Sequence, residues 1–262
     1  MNYEMYNIQS YWGPRQTDIE SYSDTFCQFA NELSKINTIF TEWSNPGKSS
    51  KLIFNIPIEK NDFLPVAEKA RFCYDVPAGK IWNSQGFWIY AVNCGGHHGR
   101  GEISPLCITN VHVGRYIDEK LKHNSNEIGV EYYNSIDIRL GNIEITTRRP
   151  WLASQLLPVL KLILHIWRPR QLSVDCNRHP HPMIADSSWA SGERWLHPWA
   201  GWLTYLSPAL YPKIALPKGV IVEKLDFGGA IVALCEEPFT IDDPVHMARM
   251  AAMEAAMRPF QT

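Results

Sequence analysis

The chain has no CxxC pair, no HExxH, no G-x-S-x-G and no apolar run long enough to cross a membrane. Each absence excludes something. The six cysteines (Cys27, Cys73, Cys94, Cys107, Cys176, Cys235) sit singly in apolar contexts, which argues for reduced, buried thiols over the disulfide framework of a short secreted chain. Without HExxH a zincin is unsupported, and without G-x-S-x-G there is no local signature of acyl transfer. The longest apolar stretch, LLPVLKLILHIW, is interrupted by Pro158, Lys161 and His165, and MNYEMYNIQS lacks the basic and apolar regions of a signal peptide. The expectation is a cytoplasmic protein with no membrane partner. There is no basic excess either: 25 Lys and Arg stand against 27 Asp and Glu, a net charge of -2, which speaks against direct nucleic-acid binding.

What is abundant is aromatic: ten Trp, eleven Tyr and ten Phe in 262 residues, with Trp189, Trp195, Trp199 and Trp202 close together. Most such side chains fill core, because they carry the largest burial energies. Trp and Tyr also anchor protein interfaces, so an aromatic chain without catalytic signatures points toward binding.

Periodicity predicts a strand at YNIQSYW, then one amphipathic helix capped by Asp18 and running to about Trp43. KLIFNIPI reads as a short strand and FLPVAEKARF as a helix. GFWIYAVNC and SPLCITNVHV read as antiparallel neighbours joined by the GGHHGRGE loop. YYNSIDIRL and IEITTR flank Gly141–Asn142, a hairpin signal. A second long helix follows Pro150, with Pro158 as a kink. GWLTYLS, GVIVEKL and AIVALCE close the sheet, and Asp243–Pro244 opens a terminal helix. Together these give an α+β fold: antiparallel sheets packed with two long helices and a C-terminal helix. The whole chain, 1–262, reads as a single domain whose order of elements suggests two similar halves, 1–130 and 131–262.

Three stretches invite catalytic readings. CNRHPHP supplies Cys176, His179 and His181, zinc-compatible donors but without a second spaced pair, and His97 and His98 could complete the set only if two loops met. NPGKSS ends like a phosphate loop, yet Glu42 stands where the first glycine is needed. DEK at 118–120 has the letters of a nuclease site in a stretch that reads as a solvated helix or turn. The balance is a chain that is not an enzyme, with no cofactor and no metal; a metal-dependent hydrolase using the Cys/His loops is the alternative.

Later motifs come in order. GWLTYLSPAL (201–210) and VALCEEPFTIDDPVHMARMAAME (232–254) present Gly201, Trp202, Tyr205, Leu206, Glu237, Pro238, Phe239, Asp243, Pro244, His246 and Glu254. This resembles the C-terminal signature of the immunity protein 52 family of bacterial polymorphic toxin systems. FTEW, ending at Trp43, with GKS and IWN (81–83) resembles that family's N-terminal half, so the likeness spans about Phe40 to Glu254. The resemblance implies a cytoplasmic α+β inhibitor of a secreted toxin encoded in the neighbouring gene, a nuclease resembling restriction endonucleases. An adaptor that escorts the toxin without inhibiting it is a further alternative.

Trp202 and Tyr205 on a predicted strand read as core, Phe239 as packed under its turn, and Asp243 and Pro244 as helix capping. Trp43, Gly201, Pro238, His246 and Glu254 are read the same way. For toxin contact the loop-rich ADSSWASGERWLHPW offers Asp186, Trp189, Glu193 and Trp195, apolar anchors beside acids. Trp82 and Asn83 are a second candidate.

Overall fold

The computed structural model describes residues 5–13, 15, 17–45, 54–76, 79–93, 107–113, 134–141, 143–144, 149–179 and 198–261. In chain order these form β1 (Met5–Trp12), α1 (Ile19–Ile36), β2 (Ser44–Asn45), β3 (Phe54–Asn55), α2 (Lys60–Lys69), β4 (Arg71–Val76) and β5 (Gly79–Val92). There follow β6 (Cys107–Val113), β7 (Asn134–Gly141), β8 (Ile143–Glu144), β9 (Arg149–Pro150), α3 (Ala153–Trp167) and β10 (Gln171–Cys176). The last are β11 (Leu203–Leu206), β12 (Ile221–Lys224), β13 (Ala230–Ala233) and α4 (Pro244–Met257). The fold is α+β, with antiparallel pairing of β1 with β10, β10 with β11, β11 with β13, β12 with β13, β2 with β3 and β5, β5 with β4 and β6, and β8 with β9. Two compact units divide the chain within β7: Met1–Trp12 with Arg139–Thr262, and Gly13–Ile138.

In the Gly13–Ile138 unit, α1 starts where expected, with Asp18 accepting the Ser21 N–H at 2.7 Å. It stops at Ile36, short of Trp43. Asn37 is extended, and its side-chain oxygen accepts the Ile39 N–H at 2.9 Å, opening a separate single turn at Thr38–Phe40. The side chain of Asn37 competes for the backbone and ends the helix that periodicity alone would continue. The buried face of α1 stacks Tyr22 on Phe87 of β5 (4.6 Å between ring centroids) and Phe26 on Phe63 of α2 (4.5 Å). Trp43 is buried against Phe26 and donates its indole N–H to the Phe40 carbonyl. β5 pairs with β4 along its first half and with β6 along its second.

In the other unit β10 lies between β1 and β11, and β13 lies between β11 and β12. The β12–β13 turn needs its glycines: Gly228 and Gly229 have φ of 86° and 78°, and a side chain at Gly229 would strike the Leu206 carbonyl. Tyr6, Ile8, Ser10 and Trp12 of β1 and Leu172, Val174 and Cys176 of β10 are buried, with Trp12 meeting Trp167 at the end of α3. α3 has Leu152 at its N-cap, which offers no capping oxygen. Glu236 supplies it from the far end of the chain: its carbonyl accepts from Ala153 N–H and its carboxylate from the N–H and hydroxyl of Ser154.

The hairpin expected about Gly141–Asn142 falls largely on residues 142 and 145–148, outside the described residues. Among the described residues β8 pairs with β9, Ile143 opposite Pro150 and Glu144 opposite Arg149. At 18 and 15 residues, α1 and α3 are also of ordinary length. No helix of the described residues is long and apolar enough to cross a membrane.

Candidate functional site

Trp202, Phe239, His246 and Glu254 of the motif lie along one chain of contacts with Tyr6 and His179. Trp202 is fully buried, with its indole N–H donating to the Cys235 carbonyl at 2.9 Å and its ring 4.9 Å from Tyr6. Tyr6 in turn donates its hydroxyl to the Phe239 carbonyl at 3.3 Å. Phe239, buried after Pro238, stacks on His246 at 5.6 Å and meets His179 edge-on at 6.1 Å. His246 Nδ1 accepts the Thr240 N–H at 3.2 Å. Asp243 accepts from the Val245 and His246 N–H groups at the head of α4; these bonds, Val245 first, hold its carboxyl below the usual range. Glu254, one face further along α4, lies 4.0 Å from His179. Tyr205 is buried in β11 opposite Ile231.

A metal-compatible trio also falls here: Cys235, Glu237 and His246 have donor atoms within 4.8 Å of one another. Their present chemistry points elsewhere. The Cys235 thiol donates to the Glu237 carbonyl, and burial pushes its pKa up to about 12. Cys176 is the last residue of β10 and buried, so the start of CNRHPHP is strand rather than loop. His181, like His97 and His98, lies outside the described residues.

The opposite face of β1 and β10 carries a polar cluster that the sequence reading passed over. Asn7 stands opposite Asp175, Gln9 opposite Ser173 and Tyr11 opposite Gln171. Trp199 lies 5.5 Å from Tyr11 and donates its indole N–H to Ser173 Oγ (2.6 Å) and Asp175 Oδ2 (3.2 Å). Ser173 donates to Asp175 Oδ2, and Gln171 to Ser173. Burial pushes the Asp175 carboxyl up to about 7 against the lowering pull of those Ser173 and Trp199 bonds. The alternation of QLSVDC was the available signal; its polar positions masked it, because Gln171 and Ser173 are buried too and Asp175 is half-buried.

Of the expected contact residues, Trp82 and Asn83 have their backbone within β5, Trp82 opposite Cys73, so they belong to a strand rather than a loop. Asp186, Trp189, Glu193 and Trp195 lie outside the described residues, as does the DEK stretch.

Among solved structures the chain is similar to "Pseudomonas aeruginosa T6SS protein PA0821", at 10% identity and a TM-score of 0.52, over 98% of this chain and 73% of that one. That likeness is one of fold. No curated protein matches the chain. The family model described as Immunity protein 52 matches residues 144–259, which lie wholly within the Met1–Trp12 and Arg139–Thr262 unit. Phe40–Trp43 and Ile81–Asn83 fall outside the match, so the resemblance is narrower than the span from Phe40 to Glu254. Residues 144–259, Gly201 to Glu254 among them, carry the pattern of the immunity protein 52 family.

Proposed function

We propose that this chain is an immunity protein that binds a cognate nuclease toxin in the cytoplasm and neutralises it by stoichiometric complex formation. The observation that carries the reading is the Immunity protein 52 match over residues 144–259. The fold likeness to a protein described as a T6SS protein is in keeping with a secreted toxin as the target. Physical chemistry supports binding as the mode of action. A nuclease presents a basic face to its substrate, and a chain of net charge -2 is steered toward it, while buried aromatic anchors slow dissociation.

In this reading Asp186, Trp189, Glu193 and Trp195, with Trp82 and Asn83, are toxin contacts, and Trp202, Tyr205, Pro238, Phe239, Asp243, Pro244, His246 and Glu254 serve packing. The partner is the toxin encoded by the neighbouring gene, and inhibition needs no catalytic group, metal or cofactor.

Co-expression of the chain with that toxin's C-terminal domain, scoring survival and co-purification together, tests the reading. Survival with a complex of fixed stoichiometry is expected. Cell death despite a stable complex would make the chain an adaptor, and death without a complex would remove the partner altogether.

A further inference from the structure

One surface remains outside the motif cluster and the polar face. Between the loop at Pro217–Lys218 and the outer side of α4 runs a groove of about 400 Å³. Pro217 forms one wall, and Pro244, Val245, Ala248 and Ala252 the other. Val245 stands 53% exposed at the rim, and Ala248 and Ala252 are exposed below it. A β-branched residue and two alanines facing out leave apolar surface that none of the described residues covers, and their small size lets a partner approach the helix backbone closely.

The charged groups lining this groove are Lys218 and Arg249. Arg249 is held in place: one end of its guanidinium donates to the Leu234 carbonyl at 2.8 Å. Its Nη2 lies so near Gly219, where φ is 83°, that an added side-chain carbon would be 3.3 Å away. The nearby Asp243 carboxylate accepts from the Val245 and His246 N–H groups and is held down in part by the Arg249 charge, so it offsets some of the positive charge of Arg249 and leaves Lys218 as the less compensated cation. Lys218 is exposed and makes no ion pair among the described residues. An apolar trough flanked by two cations is complementary to an apolar side chain with a carboxylate beside it.

We propose that this groove receives an acidic, apolar segment of the toxin, seating an aliphatic or aromatic side chain between Pro217 and the alanines and a carboxylate on Lys218 and the open edge of Arg249. The proposal rests on the immunity reading and adds a second contact to it, of opposite charge to the Asp186 and Glu193 stretch. It also gives Asp243–Pro244 a consequence beyond the start of a helix, since Pro244 is part of the groove wall.

The test uses the full chain and the toxin domain, with affinity and rates measured at low and moderate salt and a thermal melt for each variant. Ala252→Glu is expected to weaken binding about ten-fold or more, mainly through faster dissociation, because a large charged side chain then occupies the trough. Lys218→Glu should slow association, with the difference shrinking as salt rises, and Lys218→Arg should bind like the parent. Folded Ala252→Glu and Lys218→Glu proteins that bind as the parent does would overturn the groove while leaving the immunity reading intact. Failure of the parent chain to bind would overturn both. A self-associating parent whose dimer, but not its toxin affinity, is lost in Ala252→Glu would assign the groove to a second copy of the chain and likewise overturn the proposal.

Discussion

Gly201 and Asp175 are in contact: a methyl group on Gly201 would lie 2.6 Å from Asp175 Oδ1 and equally close to the Val174 carbonyl. The motif glycine therefore keeps room for the polar cluster on β10 as the chain turns into β11, and its N–H is taken by Thr204 Oγ1 at 2.9 Å.

Gly201→Ala should lower stability by roughly 1–3 kcal/mol, the usual cost of overpacking a site whose neighbours include backbone. Denaturant melts of the two proteins measure it directly. Trimming Asp175 to Ala in the same chain should recover only part of the loss, because the Val174 carbonyl remains in the way.

Asp175 makes stability depend on pH in a definite direction. Its folded pKa of about 7 lies above the ordinary 3.8, so the native state holds a proton that the unfolded chain gives up. The stability it contributes is complete below about pH 4 and is lost as pH rises through 7. Between pH 5 and 8 the parent's melting temperature should fall relative to that of Asp175→Asn. Parallel curves for the two proteins would show that the carboxyl is ionised throughout.

Trp202→Phe keeps the ring against Tyr6 and removes the donor to the buried Cys235 carbonyl. A loss of roughly 1–3 kcal/mol is expected for leaving that group unpaired. Toxin affinity of the folded variant should stay within about two-fold of the parent's, since the indole is fully buried. A loss of affinity well beyond the loss of stability would place the motif in the interface.

Helix starts were the most legible feature of this sequence, because a cap is a local event. Asp18 and Asp243–Pro244 act as their residue types predict. The end of α1 was not legible: it depends on the Asn37 side chain outcompeting a periodic apolar face. Nor was the cap of α3, where Leu152 is supplied from Glu236, 84 positions away in sequence. Turn chemistry at Gly141–Asn142 suggested a hairpin, while the described β8 pairs with β9, a partner that no local signal marked. The same distance hid the site. Asp175, Trp199 and Gly201 meet only through the β10–β11 pairing, and Lys218 reaches α4 only once β12 and β13 have brought the loop beside it.

The pairing of Tyr6 with Cys176 and of Tyr11 with Gln171 has a further meaning when the chain is followed off the ribosome. At about 5–20 residues per second, β1 waits on the order of ten seconds before its partner strand has been made. Until then Tyr6, Ile8 and Trp12 have no β10 to pair with, and the Gly13–Ile138 unit can assemble first. The closing of β1 onto β10 is therefore timed by synthesis rather than by the search for the partner strand, and the apolar face of β1 is the part of this fold that stays longest without its neighbour.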